Sequence, residues 1–461
     1  MSDESEAAQR ALAEAAAYLE GLIDHEKRRS LARARFSLAP IRALLERLGA
    51  PDRGLSVLHV AGSKGKGSTA LFAEALLRAT GARVGTFTSP HLERWTERFR
   101  IDGLEVAPEH LAAAVATLRP HVDALRVAGG DTVPTFFDAT TAVALLLFRE
   151  AEVDHAVLEV GLGGRLDSTN AVQPAVCCIA SVEREHTEVL GDDLAAIARE
   201  KAGILKPGVP ALCGALAPEA LEVVERRAAE LACPLARLGR EIEVSLEGDG
   251  LDGGRLRVRE GAFTLEAELA VPGLHQAGNA ALAVAAARRL VGSSLPEDEL
   301  RRAFSAGLAA ARLPGRVEIV ERDPWVIVDA AHTPASARAL ACVLARLAMP
   351  VDLVLSVSSG KDVAGILEAL LPYARALTLT RAEPIRSLDP AEVAAVARAV
   401  RPELALCVVP NPHLALRAAR EALPAGTALC ATGSVYLAGI ARRVLRDPAP
   451  ERVAVTRTPD R

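Results

Sequence analysis

Apolar positions along the chain recur with two periods. Residues 5–50 place them at helical spacing, with Arg35-Phe36-Ser37-Leu38 between two helical stretches. Residues 55–60 (LSVLHV) form a short apolar run that predicts a buried strand. A Gly-rich turn follows, then an alanine-rich helix over 68–80 and a second strand over 83–87. This strand–loop–helix–strand order is the unit of an open parallel α/β sheet. Residues 153–160, 175–181 and 209–213 read as further strands, and 193–203 and 279–290 as helices. Residues 240–272 switch to alternation with Gly-rich turns, which predicts a small antiparallel insertion.

A second α/β pattern begins after Ala311-Arg-Leu-Pro-Gly315, with strands over 326–329, 353–357, 376–380, 405–409 and 428–432. The expected fold class is therefore α/β. A P-loop-type N-terminal domain with a mostly parallel sheet spans 1–311, a smaller Rossmann-like α/β domain spans 312–447, and 448–461 is a tail.

Composition narrows the function classes. Half of the 461 residues are hydrophobic and a quarter are charged, enough to build cores rather than a disordered chain. Apolar runs such as 142–148 and 280–287 are far shorter than the ~20 residues of a membrane span. The acidic, polar start MSDESEAAQR is unlike a secretory signal. The net charge of −5 is spread over interspersed signs, which argues against nucleic-acid binding. Seven cysteines, an odd number without a C-x-x-C pair, argue against a zinc site or a disulfide framework and for a reducing cytoplasm.

Lysine usage is the more informative count. The chain has 48 arginines but only six lysines: Lys27, Lys64, Lys66, Lys201, Lys206 and Lys361. Where a generic positive charge is written as arginine, lysine marks a compact ammonium or a deprotonatable amine. Drift explains a single lysine equally well, but two of the six fall in one Gly-rich loop.

That loop, Gly62-Ser63-Lys64-Gly65-Lys66-Gly67-Ser68, lies between a strand and a helix. Its glycines let backbone N–H groups close on phosphate oxygens at a helix N-terminus, and Lys66 can reach the β- and γ-phosphates. The spacing departs from the standard phosphate loop because Gly67 separates Lys66 from Ser68. The bland alternative is a Gly-rich turn capped by Ser68.

Glu159 ends an apolar strand ahead of a glycine-rich loop, a natural magnesium position beside phosphates. His186 leaves the next strand and is either a ligand or a structural histidine; a histidine ligand leaves room for manganese. Lys201 closes a helix, where it either complements the dipole or supplies a reactive amine once burial lowers its pKa.

The runs LEVGLGGRLDSTN and IAREKAGILKPGVP, with the phosphate loop, TSPHL, LPGRVEIV and TGSVYLAG, resemble the folylpolyglutamate synthase/dihydrofolate synthase family of the Mur ligase superfamily. The resemblance extends from about residue 35 to residue 437. It implies that Gly62–Ser68 holds the ATP phosphates, with Asn279, Arg316 and Asp329 as further nucleotide contacts. It implies Ser89, Glu159 and His186 as magnesium ligands. Lys201 would carry a CO2-derived carbamate and help hold a second magnesium. Lys66, Lys201 and His332 form the implied catalytic set. Arg35, Phe36, Ser37 and Leu38, then Thr135, Phe136, Phe137 and Asp138, then Leu166, Asp167 and Ser168 match dihydropteroate-binding segments.

The implied reaction activates a carboxylate as an acyl phosphate and couples it to the amine of L-glutamate, acting on dihydropteroate, reduced folates or both, in a cytoplasmic monomer. The competing readings are an amide ligase for another acid and a module that binds ATP without turnover. Four departures stand out. Lys64 replaces the family's usual Asn, Glu185 its Asp, and Ala330 and Thr333 the Gly and Asn of its Asp-Gly-Ala-His-Asn-Pro run.

Overall fold

The computed structural model describes residues 3–23, 37–185 and 187–446. The chain divides into two compact units, Met1–Leu313 and Pro314–Arg461.

An eight-stranded sheet organises the first unit. Its strands are β1 (Ser56–Ala61), β2 (Val84–Phe87), β3 (Phe99–Ile101), β4 (Leu104–Glu105), β5 (His155–Glu159), β6 (Val176–Ile179), β7 (Ala211–Cys213) and β8 (Leu235–Arg237). They run in the order β4-β3-β2-β5-β1-β6-β7-β8. Every pairing from β2 to β8 is parallel, while β3 and β4 add antiparallel at one edge. The central strands are mostly apolar because helices cover both faces. Leu58 and Val60 of β1 join a core with helices Lys66–Ala79, Leu274–Val291 and Glu297–Ala310. Val57 turns to the opposite core, beneath helices Pro108–Ala128 and Phe136–Glu150.

The period-two stretch forms a separate antiparallel sheet of β9 (Ile242–Gly250), β10 (Gly253–Glu260) and β11 (Phe263–Leu269). Its buried positions Leu256, Val258, Phe263 and Leu265 pack into the core of the Leu274–Val291 helix. That helix begins five residues before the apolar pattern predicts. Gly273, at φ 106°, starts the turn there. The helices Pro108–Ala128 and Phe136–Glu150, the edge strands β3 and β4, and β8 were not legible as elements. The second of these helices is buried over most of its length, so it shows no polar face to mark its period.

The second unit holds a six-stranded sheet of β12 (Glu318–Arg322), β13 (Trp325–Val328), β14 (Val351–Leu355), β15 (Ala374–Leu379), β16 (Ala405–Val408) and β17 (Ala428–Thr432). The order is β12-β13-β17-β14-β15-β16. Only β12 is antiparallel. Sequence pattern shows the five parallel strands and misses β12, whose residues are half-exposed and of mixed polarity. Among the described residues no helix is long and apolar enough to cross a membrane.

Each unit holds one of the two tryptophans, Trp95 or Trp325, so a Trp325→Phe background reports on the first unit alone. In it, Phe304→Ala removes a fully buried ring from the sheet–helix core. Urea unfolding followed by Trp95 fluorescence should show a loss of about 3–5 kcal/mol.

Candidate active site

The C-terminal ends of β1, β2, β5 and β6 lie at one edge of the first sheet, where open α/β sheets bind ligands. Register sets the arrangement: Val60 pairs with Glu159 on β5, and Ala61 with Ile179 on β6. The loop after β1 therefore emerges between the metal candidate and the loop that leads to His186.

Side chains and backbone hold that loop in place. Ser63 N donates to Ser181 O at 3.0 Å, and Lys64 N to Ser181 Oγ at 2.7 Å. Ser63 Oγ donates to Glu183 O at 3.1 Å. Gly65, at φ 81°, caps helix Lys66–Ala79, and a Cβ there would collide with Asn279 Oδ1. Asn279 is thus brought against the loop from helix Leu274–Val291. A Cβ at Gly67 would come 3.3 Å from Glu159 Oε2, so the carboxylate lies directly against the first helical turn. Lys66 Nζ donates to Gly62 O at 2.8 Å, folded over the loop.

Glu159 is buried and accepts from Ser89 N at 3.1 Å. The two predicted metal ligands from β5 and the β2 loop are therefore neighbours. A buried carboxylate beside a serine and a phosphate loop is a hard oxygen set that fits magnesium. His186, Arg35 and Phe36 lie outside the described residues, as does the expected tail.

Lys201, 1% exposed, ends helix Leu194–Ala202 and donates to Glu185 Oε1 at 2.9 Å. Lys64 reaches the same carboxylate at 3.7 Å. Burial alone would raise the Glu185 carboxyl, but the charges of Lys66, Lys201 and Lys64 hold it down at about 2. Burial dominates at Lys201 and lowers it to about 8, against the pull of Glu185. Two of the four departures thus meet in space: the unusual Lys64 pairs with the unusual Glu185.

The substrate candidates form a second connected set. Thr135 caps helix Phe136–Glu150 in a capping box with Asp138. Ser168 Oγ donates to Asp138 Oδ1 at 2.7 Å, joining the two predicted segments. Asp167 accepts from Gly161 N, Leu162 N and Thr169 N at 3.1, 2.9 and 3.0 Å, so it shapes the glycine loop after Glu159. A Cβ at Gly161 would strike the Phe137 ring, which explains the glycine there. Phe136 packs edge-on against Trp95, and the Arg98 guanidinium lies over both rings. Leu166 is half-buried in the same loop. Ser37 Oγ accepts from Ala39 N, and Leu38 caps helix Ala39–Arg47.

In the second unit, Asp329 follows β13 and accepts from Val317 N at 2.8 Å and Ala331 N at 2.7 Å. Arg316 Nη1 donates to Gly315 O at 3.1 Å. His332 Nδ1 lies 2.8 Å from Ala330 O. Thr333 caps helix Pro334–Leu344 by accepting from Ser336 N, a role Asn fills equally, and Ala330 avoids the left-handed region that would demand glycine. Neither departure strains this turn.

Residues 60–287 match the Mur ligase middle domain, and residues 315–435 the Mur ligase glutamate ligase domain. The dihydrofolate synthase/folylpolyglutamate synthase of Mycobacterium tuberculosis is 35% identical over 446 residues, covering 89% of this chain and 91% of that one. The chain belongs to the folylpolyglutamate synthase/dihydrofolate synthase family of the Mur ligase superfamily. A probable bifunctional folylpolyglutamate synthase/dihydropteroate synthase of Haloferax volcanii is 38% identical over 77% of this chain, which spans only 42% of that longer protein. A crystal structure of a bifunctional folylpolyglutamate synthase/dihydrofolate synthase with manganese, AMPPNP and L-glutamate bound matches with a TM-score of 0.79 at 33% identity, covering 94% of this chain and 98% of that one.

Sequence reasoning assigned no role to two residues that brace the glycine loop. His59 on β1 is buried with Nε2 2.8 Å from Thr169 Oγ1; burial, then the Lys206 charge, holds it near 3 and so neutral. Lys206 donates to Asn170 Oδ1 at 2.8 Å and ties the glycine loop to the end of the Lys201 segment. The scarcity of lysine was the available signal for Lys206. An apolar strand context hides His59.

Lys201 generates a pH prediction. It loses its proton near 8 in the folded state and near 10.5 unfolded, so between those values the unfolded chain binds more protons and stability rises with pH. Lys201→Met should lose that rise. Urea denaturation at both ends of the window, in CO2-free buffer, reads it; parallel curves for the two proteins would contradict the buried-amine reading.

Proposed function

We propose that this chain joins L-glutamate to both dihydropteroate and reduced folates, one site serving dihydrofolate synthesis and folylpolyglutamate synthesis. It is an ATP-dependent, ADP-forming ligase that couples glutamate to folates. The observation that carries the bifunctional reading is the joining of two pterin-side segments, through Ser168 and Asp138, directly beside the Glu159 loop. One acceptor pocket then abuts one phosphate site.

The chemistry follows from charge and position. A substrate carboxylate oxygen attacks the γ-phosphorus of ATP, ADP leaves, and an acyl phosphate forms. The glutamate amine attacks its carbonyl carbon, phosphate leaves, and the amine gives up a proton as the amide forms. Loop N–H groups from Gly62 to Ser68 bind phosphate oxygens, with Ser63 and Ser68 at the loop's ends and Lys64 and Lys66 facing the added charge. Asn279 contacts the nucleotide from the first unit. Arg316 and Asp329 are the second unit's nucleotide candidates, and His332 its catalytic one.

Ser89, Glu159 and His186 would hold magnesium, with manganese as an alternative. Bound metal would neutralise phosphate charge and orient the γ-phosphate for in-line attack. Lys201 acts as a carbamate: its neutral amine adds CO2 and releases a proton, and the ammonium becomes an anion able to hold a second magnesium. A pKa near 8 supports this, because it leaves a usable fraction of free amine at neutral pH. Lys64 and Lys66 lie near enough to offset the Glu185 charge if Lys201 changes sign, and a bound metal would add to that. Phe137, half-buried, offers a ring face to the pterin, while Phe136 is buried against Trp95 and Arg98 behind this segment; Leu166 to Ser168 shape the floor, and Arg35–Leu38 are a further candidate segment. Five buried free thiols among the seven cysteines suit a reducing cytoplasm.

Phosphate release from ATP, with magnesium and L-glutamate, should occur with dihydropteroate in one reaction and with tetrahydrofolate in another. Release in only one would reduce the reading to a single step. Silence in both would favour another acid or a module without turnover. Lys201→Ala should abolish turnover and regain part of it with a short carboxylic acid. Full activity without rescue removes Lys201 from the mechanism.

A further inference from the structure

Gln276 stands outside every role described so far, yet it is 1% exposed, on the helix that carries Asn279 to the phosphate loop. Gln276 Oε1 accepts from Asn279 Nδ2 at 2.9 Å, one helical turn away. A carboxamide is nearly symmetric in shape but opposite in polarity at its two ends, with an acceptor oxygen and two N–H donors. Without a partner, Asn279 could present either end. Gln276 takes one of its N–H groups, and Gly65, lacking a Cβ, leaves room for Oδ1. One acceptor and one remaining donor are then side by side on the free edge of the amide.

That pattern is complementary to adenine, which offers an N6–H donor next to the N7 acceptor. Guanine offers two acceptors, O6 and N7, and would set O6 against Oδ1. We propose that Gln276 is a positioning residue that fixes the Asn279 amide and thereby makes the site select adenine over guanine nucleotides. This rests on the reading above that Asn279 contacts the nucleotide.

A correctly held pair of such bonds gives discrimination of about ten- to a hundredfold. The ratio of kcat/KM for MgATP to that for MgGTP, measured with tetrahydrofolate and L-glutamate, reads it directly. Gln276→Met keeps the length and helix propensity but removes the strong acceptor. It should lower the ratio by about tenfold, through the KM for ATP, with kcat at saturating ATP little changed. Gln276→Glu keeps an acceptor and should preserve the ratio. Gln276→Ala serves as the second acceptor-free variant if Met does not fold.

A purely structural role would depress both nucleotides together and leave the ratio intact, which overturns the proposal. So would loss of discrimination in Gln276→Glu, since Gln276 would then be acting as a donor. Asn279→Ala separates the two layers. If it abolishes discrimination while the Gln276 variants do not, the proposal fails and the Asn279 reading stands. If Asn279→Ala leaves the ratio unchanged, the base is not read at Asn279 and both fail.

Discussion

The register of β1 between β5 and β6 is the constraint on which the site depends. Because Val60 pairs with Glu159 and Ala61 with Ile179, three chain segments far apart in sequence leave the sheet side by side. A one-residue slip of β1 would turn Leu58 and Val60 out of their core and move the loop that follows it away from Glu159. The hydrophobic packing that holds the helices Lys66–Ala79 and Leu274–Val291 against the sheet therefore also holds the Gly62–Ser68 loop, Glu159 and Asn279 together.

Charge is concentrated within this frame rather than neutralised pair by pair. Lys64, Lys66 and Lys201 surround one carboxylate, Glu185, and a buried ammonium at Lys201 is tolerable only because that carboxylate lies 2.9 Å away. The cluster sets its ammoniums among carboxylates, with Glu183 also close enough to Lys201 to act on its charge. It also accounts for two departures from the family pattern at once. A lysine where the family has Asn and a longer acid where it has Asp make one ion pair, so the pair changes while the polarity of the loop is kept.

The acceptor side is organised by hydrogen bonds instead. Asp167 satisfies the backbone of the glycine loop, and Asp138 links the cap of its helix to Ser168. Several residues matched to substrate by family pattern thus also brace the chain around the glycine loop. A buried carboxylate with three backbone donors is a scaffold element as much as a contact.

Sequence by itself determined the alternation of strands and helices, the antiparallel stretch over 240–272, the phosphate loop and the family. These reside in local periodicity and in glycine, lysine and acidic residues at fixed spacing, which one chain segment can display alone. It also exposed Lys201, because lysine is scarce here. Tertiary structure alone decided which of these residues meet. The pairing of Lys64 with Glu185, the contact of Ser89 with Glu159, the approach of Asn279 to Gly65 and the burial of His59 depend on strand register and helix packing between residues up to more than a hundred positions apart. Local pattern carries no information about such partners. The edge strands β3 and β4 escaped because they are only three and two residues long, too short to show a period, and the Phe136–Glu150 helix because most of it is buried, so no polar face marks its period.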